Sequence, residues 1–472
     1  MTGKLMPRAT LWMLAINATA LIAFAYAPVA EEYPLAALGI LAFLFVQACL
    51  PACRICVSAP VCPANIAQGY YWVQLVLVTV LIGYFGVSQG ALPYLPSKDA
   101  INLAVVVHVV GYLCFCVAYQ CFSRGTVRPR VSGPGAAYLI VPFAVLGVLG
   151  LLLTHGGVGG FIDYVSSPSE HRLRAEEATT WQGAAGSFLK HFLGFAVVLA
   201  WSWWLGKAPR RKAAIIAVTA GVVIVLLIAN FNYNRGTMLG PMVGLAAAFS
   251  AHVWRISFKG VVLGGMLALS VAFVFGGYRS SDLDIADLSV SAVADMWSPE
   301  DVVEFVQIYA LAPQLSAYLL ESVEGKFYYG ETLLPSLVYP IPVLGKPYRD
   351  SSGPVIFNEL IYGGTDSLDQ IIPLDGELFI NFHLAGVVLG NVLLGCVLAW
   401  LQGKFMAAPR PVESYAWLMM ALWTVFPGSL SVTSQIYVYS FWPMYIYLSV
   451  ESVRAWSGAT ASHRDQTAVR YS

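Results

Sequence analysis

The sequence predicts an all-α, polytopic integral membrane protein of about twelve transmembrane helices, with one large and one medium extracytoplasmic loop. Three observations predict it. Of 472 residues, 58% are hydrophobic and 11% charged, where soluble domains run at about 45–50% and about 25%. Apolar stretches near the roughly 20 residues needed to cross a bilayer recur along the whole chain, bounded by charges or turn residues. Lys and Arg segregate to alternate connections. This composition excludes a soluble globular or a disordered chain. The balance of 26 basic against 26 acidic residues implies no bulk nucleic-acid affinity.

In chain order the stretches are Thr10–Ala27, Pro34–Leu50, Tyr70–Val87, Ala100–Phe122, Ala137–Thr154, Ser187–Leu205, Ala213–Ala229, Thr237–Trp254, Val261–Gly277, Phe379–Leu401, Ser414–Leu430 and Ile436–Val450. The first follows Lys4 and Arg8 and ends in Ala25-Tyr26-Ala27, as a cleaved signal peptide would, but its long apolar run is read as a retained span. The last two are short and carry Pro427 and Pro443. The chain thus divides into 1–277, nine helices with an outer loop at 155–186; 278–378, a large extracytoplasmic loop; 379–453, three helices; and 454–472, a cytoplasmic tail.

Orientation follows from the connections. The side holding both termini carries 17 basic and 3 acidic residues, and the opposite side 9 basic and 23 acidic, or +14 against −14. Both termini are therefore expected to be cytoplasmic. All eight cysteines fall in cytoplasmic connections or inner halves of helices, so no disulfide framework is expected outside. Cys49, Cys53 and Cys56 have a cluster-like spacing but lack a surrounding soluble domain. They read as soft apolar residues at a helix end, and neither a metal nor a cofactor is expected.

The two long outer loops hold most of the polar material, and loops of that length are usually functional. In the larger one, Ser298-Pro299-Glu300-Asp301 reads as a helix start, with Val302, Phe305, Val306 and Tyr309 following at helical spacing. Pro313 should end or kink that helix, and a second helical piece, Gln314–Val323, should close near Gly325. The aromatics Phe327, Tyr328, Tyr329, Tyr339, Tyr348, Phe357 and Tyr362 suit either an interfacial belt, the favoured reading, or stacking on sugar faces. No nucleotide loop, zinc spacing or nucleophile elbow is present, so an enzyme built on this chain needs a substrate that arrives already activated.

Charged residues at the outer membrane edge are the candidate site. Arg235 opens the eighth helix after a polar turn, where its planar fork adds to the helix dipole and suits phosphate oxygens; the alternative is a snorkelling anchor. Gly236, Gly240, Gly244 and Ala248 form a small-residue stripe that lets this helix pack closely. Arg279 lies at similar depth after Gly276-Gly277, and Arg172 and Arg174, beside Glu170 and His171, can clamp a diphosphate or form a solvated charge run. Just before the tenth span, Glu377 is the carboxylate nearest the membrane. It is a candidate general base, with Asp375, His171 and Glu170 in reserve and Gly376 permitting close approach. The competing role for Glu377 is a helix N-terminal acid. His383, deeper in the same span, reads as a packed core residue.

Together these features resemble the Wzy-type O-antigen or oligosaccharide repeat-unit polymerases. The span count, the two outer loops, Arg235-Gly236 at a helix start and the segment Gly376–Gly386 after the largest loop carry the resemblance, as does Gly183 eleven positions after Arg172. Counting eleven from Arg279 or Arg349 gives Val290 or Leu360, so a second copy of that spacing is missing. The resemblance implies a fold like the many-helix GT-C membrane glycosyltransferases. It implies an enzyme that joins oligosaccharides carried on undecaprenyl diphosphate at the outer face of the inner membrane, building an O-antigen, capsule or exopolysaccharide. It also implies membrane lipid, a chain-length regulator and a flippase as partners, and no nucleic acid. The alternatives are an O-antigen ligase, a lipid-linked oligosaccharide flippase or other transporter, and a non-catalytic export scaffold. A transporter would carry more charge inside its helices than His108, His191, Lys190 and His383 supply.

Overall fold

The computed structural model describes residues 8–56, 59–123, 136–166, 185–186, 188–207, 211–229, 235–266, 298–310, 313–323, 325–333, 335, 348, 351–364, 372–425, 441–454 and 456–457. Among them the chain is helical throughout, with no strands. The main helices are α1 (Arg8–Ala25), α2 (Ala37–Cys49), α3 (Pro63–Phe85), α4 (Lys98–Phe122), α5 (Ile140–His155), α6 (Val158–Ser166), α7 (His191–Lys207), α8 (Lys212–Ala229), α9 (Arg235–His252), α10 (Pro299–Tyr309), α11 (Pro313–Ser322), α12 (Gly353–Tyr362), α13 (Leu374–Ala407) and α14 (Pro411–Val425). Stretches 258–266 and 441–454 are also helical.

Among the described residues, five helical segments are long and apolar enough to cross a membrane: Pro63–Phe85, Lys98–Phe122, Ala137–His155, Lys212–Ala229 and Leu374–Ala407. Shorter apolar helices lie at Thr10–Ala25, Pro34–Cys49 and Leu239–His252. Each falls on an expected stretch. The second half of the ninth stretch, Pro427 and much of the turn before the twelfth lie outside the described residues.

The chain forms two compact units. The first comprises Met1–Val127, Arg255–Ala407 and Met420–Ile436. Its centre is the packing of α13 on α4. A Cβ built on Gly395 would lie 2.3 Å from the Phe115 carbonyl oxygen, so the two backbones touch. Ser97 caps α4 by accepting from the Ala100 N–H at 3.2 Å, and Asp99 sits in the first turn. α3 is interrupted by a π-helical turn at Val73–Leu77, a feature frequent at functional sites.

The described parts of the segment between 298 and 364 pack into this unit. Ser298 and Asp301 form a reciprocal capping box at the start of α10, through Ser298 N–H to Asp301 Oδ2 at 2.8 Å and Asp301 N–H to Ser298 Oγ at 3.1 Å. Those bonds hold the Asp301 carboxyl below its usual range. α10 ends at Tyr309 and Pro313 opens α11, as the sequence predicts, because proline suits a first helical turn and not an interior. α12 was not expected; Pro354 sits in its first turn and Gly363 (φ 68°) closes it. Leu315, Tyr318 and Leu319 of α11, Phe357 and Ile361 of α12 and Ile380 of α13 share one buried cluster. Phe357 is fully buried there, so it belongs neither to a lipid belt nor to a sugar surface.

The second unit comprises Arg128–Trp254, Ala408–Met419 and Tyr437–Ser472. α5 and α7 touch through glycine: a Cβ on Gly147 would lie 2.1 Å from the Leu193 backbone nitrogen. The expected close packing of α9 is seen at Gly244, whose Cβ would lie 2.8 Å from the Tyr415 ring and 2.9 Å from the Met419 sulfur. Arg410 pairs with Glu413 at 2.7 Å and Glu451 at 2.5 Å, joining α14 to 441–454. α6 lies in the connection expected to form the first outer loop, where no helix was expected.

Candidate functional site

α13 is not one continuous helix. Phe382 (φ −138°, ψ 18°) and His383 (φ 56°, ψ −156°) break it. In a straight helix residues 378 and 386 would be about 12 Å apart along the axis, and 375 and 391 about 24 Å. Here a Cβ on Gly386 would lie 2.5 Å from the Leu378 carbonyl oxygen, and one on Gly390 2.6 Å from Leu378 Cδ1. Asn391 Nδ2 donates to Asp375 Oδ1 at 2.7 Å. Residues 374–381 therefore fold back along the start of 384–407, and Gly386 and Gly390 supply the room. α13 begins at Leu374, five residues before the tenth expected stretch, so Asp375 and Glu377 sit in its first turn. Asp375 is 6% and Glu377 0% exposed.

The fold-back carries Asp375 to His108 of α4. His108 Nδ1 lies 2.9 Å from Asp375 Oδ2, and His108 Nε2 lies 2.9 Å from Ser316 Oγ of α11. A carboxylate only accepts, so Nδ1 carries the proton; in the neutral ring Nε2 is then the acceptor, and the Ser316 hydroxyl donates to it. In that neutral form the chain of bonds is directional: Asn391 and His108 donate to Asp375, and Ser316 donates to His108. Gln74, in the π-helical turn of α3, approaches with Nε2 3.5 Å from Nδ1. His108, Ser316 and Asn391 are all buried. Glycines make the space: a Cβ on Gly111 would lie 2.8 Å from Asp375 Oδ1, and one on Gly376 3.2 Å from Ser316 Oγ. At about 1.5 Å per residue, His108 lies about 15 Å along α4 from Lys98, near the middle of that candidate span.

Glu377 faces the loop. Thr332 Oγ1 donates to Glu377 Oε1 at 3.1 Å, and Asn381 Nδ2 donates to Thr332 Oγ1 at 2.7 Å. Asn381 Oδ1 accepts from the Gly330 N–H at 2.8 Å. A Cβ on Gly353 would fall 2.1 Å from Glu377 Oε1, so α12 closes over the carboxylate. Glu377 is a clamp between the fold-back helix and the loop.

His383 is exposed, at the helix break, and not packed in a core as its position suggested. Arg235 is the first residue of α9, as expected; its side chain lies outside the described residues. Glu170, His171, Arg172, Arg174 and Arg279 lie wholly outside them. Sequence reasoning missed His108 as a functional residue, and Ser316, Asn391, Thr332 and Asn381 altogether. The available signal was a histidine inside an apolar span, for which a paired function is the default expectation. Compared with protein-family models, curated proteins and solved structures, the chain matches none.

Proposed function

We propose that this chain is a membrane-embedded glycosyltransferase that polymerises undecaprenyl-diphosphate-linked oligosaccharide units at the outer face of the inner membrane, with twelve spans and both termini cytoplasmic. The observation that carries this reading is the buried Asp375–His108 pair, formed where the largest loop re-enters the apolar helices. Transfer of a glycosyl group to a hydroxyl needs a base for the hydroxyl proton. An imidazole whose Nδ1–H is committed to a carboxylate turns Nε2 into that base, and Ser316 holds the place of the acceptor hydroxyl. In the step proposed, the acceptor O–H gives its proton to His108 Nε2 and its oxygen bonds the anomeric carbon. The bond from that carbon to the diphosphate breaks, and its electron pair leaves with the diphosphate. Diphosphate-binding roles for Arg235, Arg279, Arg172 and Arg174 remain part of the proposal on sequence grounds alone.

A second reading, a proton-coupled transporter of the same lipid-linked units, is favoured by the broken α13 beside an intramembrane ionisable pair. Deletion of the gene followed by analysis of surface polysaccharide length separates them. A polymerase leaves single capped units, a ligase leaves free polymer on its lipid, and a transporter leaves uncapped units on the cytoplasmic leaflet. An unchanged length distribution would refute the polymerase.

A further inference from the structure

Among the described residues, two that are not glycine have positive φ: Tyr329 at 45° and His383 at 56°. They are members of one surface cluster. Ring centroids lie 6.1 Å apart for Phe327 and Tyr329, 5.6 Å for Phe327 and His383, and 4.4 Å for Phe379 and His383. A Cβ on Gly330 would lie 3.1 Å from the Phe382 ring. Phe327, Tyr329 and Phe382 are 40%, 77% and 46% exposed.

A positive φ is strained for a bulky side chain, and the φ/ψ of His383 lies at the edge of a region that is essentially glycine's. Such strain persists only where the surroundings over-determine it. Here they do: Tyr328 N–H bonds the Ile380 carbonyl at 3.1 Å, and Gly330 N–H bonds Asn381 Oδ1 at 2.8 Å. Beneath, Asn381 is fixed by Thr332 and by the Glu377 carbonyl. The buried clamp thus holds two strained turns against each other so that their rings face outward together.

We propose that Phe327, Tyr329, Phe382 and His383 form a carbohydrate platform that seats a pyranose of the lipid-linked oligosaccharide. The proposal rests on the substrate reading above. A pyranose has apolar C–H faces and a polar hydroxyl rim, so it suits open aromatic faces with hydrogen-bonding groups beside them. The cluster offers both: exposed rings, a phenol and an imidazole, with Lys326 and Glu331 exposed on the same turn. Leu384 is exposed beside His383, but the charged Lys326 and Glu331 on the facing turn disfavour burial of an acyl chain there.

The test uses the full-length protein in nanodiscs, with saturation-transfer NMR to a lipid-free oligosaccharide released by mild acid from the host strain's surface polysaccharide. Wild type should bind. Tyr329→Gly relieves the positive φ, so its melting temperature should equal or exceed wild type while binding weakens about fivefold to tenfold. Tyr329→Phe keeps the ring and should bind like wild type. Adding Phe327→Ala to Tyr329→Gly should weaken binding about tenfold to a hundredfold. Wild type that binds no saccharide, or variants that bind and polymerise normally, would overturn the platform. A membrane-belt role would appear as normal saccharide binding with poor recovery from membranes, and would also overturn it. If gene deletion leaves polysaccharide length unchanged while the binding pattern holds, the polymerase reading falls and the platform stands.

Discussion

Replacing Asp375 with Asn separates a proton-accepting His108 from one that only ties helices together. Asp375 accepts from Asn391 at 2.7 Å and from His108 Nδ1 at 2.9 Å. An asparagine of the same shape can keep both contacts: its oxygen accepts from Asn391, and its amide donates to Nδ1. That requires the other imidazole tautomer, with the proton on Nε2 pointing at Ser316. No buried polar group is stranded, so the loss is the charge assistance of one hydrogen bond, about 1–2 kcal/mol. The chemical consequence is larger, because Nε2 has become a donor. Polymer formed per folded molecule should fall by about 10²–10⁴. His108→Ala is the contrasting variant. It leaves the buried Asp375 carboxylate with Asn391 but without His108 and should lower stability by about 3–5 kcal/mol. The assay pairs melting temperature in detergent with polymer length in cells at matched protein abundance. If Asp375→Asn polymerises at the wild-type rate per folded molecule, the base role of His108 is wrong and the array is structural.

Glu377→Gln keeps an oxygen for Thr332, so stability should change by about 1 kcal/mol and activity per folded molecule by less than tenfold; a loss of 10²–10⁴ at normal abundance would return the base role to Glu377. Gly395→Ala forces α13 away from the Phe115 carbonyl and should cost about 1–3 kcal/mol, whereas Gly206→Ala in α7 meets nothing within 4 Å and should be neutral or stabilising; equal melting temperatures would contradict the packing. Burial raises the Glu413 carboxyl to about 7, with Arg410 opposing and Glu451 adding to the shift. A carboxyl raised on folding binds more protons folded than unfolded, so stability should fall as pH rises from about 4.5 to about 7, by at most about 1.4 kcal/mol per unit. Glu413→Gln should flatten that slope in a melting-temperature series, and an unchanged slope would remove Glu413 as its source.

Apolar length and helix-start chemistry were legible along the chain. The apolar helices seen among the described residues, the Ser298 cap, the Pro313 boundary and Gly244 packing follow from residue type and spacing alone, because each is decided within a few residues. The fold-back of α13 was not legible. Nothing local in Phe379–Gly390 distinguishes a continuous span from two helices joined at Phe382 and His383, since the break is stabilised by contacts to Thr332, Gly330 and Asn391 from elsewhere. Without it Asp375 lies at a rim and His108 reads as a lone buried histidine. The pair exists only in three dimensions, between residues separated by 267 positions. Glu377 does sit in the first turn of α13, as its reading as a helix N-terminal acid expects; its bond to Thr332 was not legible, because Thr332 lies 45 positions away in the chain.

Two residues apart on the fold-back helix, Asp375 and Glu377 point roughly 200° away from each other, at about 100° per residue. One meets His108 on α4 and Asn391 further along α13; the other meets Thr332 and the α12 glycine. The short helix is thus keyed on both faces by a carboxylate, each in a buried and hydrogen-bonded setting where loss of a partner is costly. The consequence is mechanical. A movement of the loop that disturbs Thr332 acts on Asn381 and Glu377, and through one rigid turn on the position of Asp375 against His108. Saccharide seated on the aromatic turn at Phe327–Tyr329 would press on that same turn, since Gly330 is bonded directly to Asn381. On the proposed reading, occupation of that surface can bias the geometry of the buried His108–Asp375 pair, and Tyr329 and His383 are the two strained residues of that connection. On this reading Thr332→Val, which cannot donate to Glu377 or accept from Asn381, should loosen saccharide binding and polymer formation together. A variant that loses one and fully keeps the other would show the two tiers to be independent.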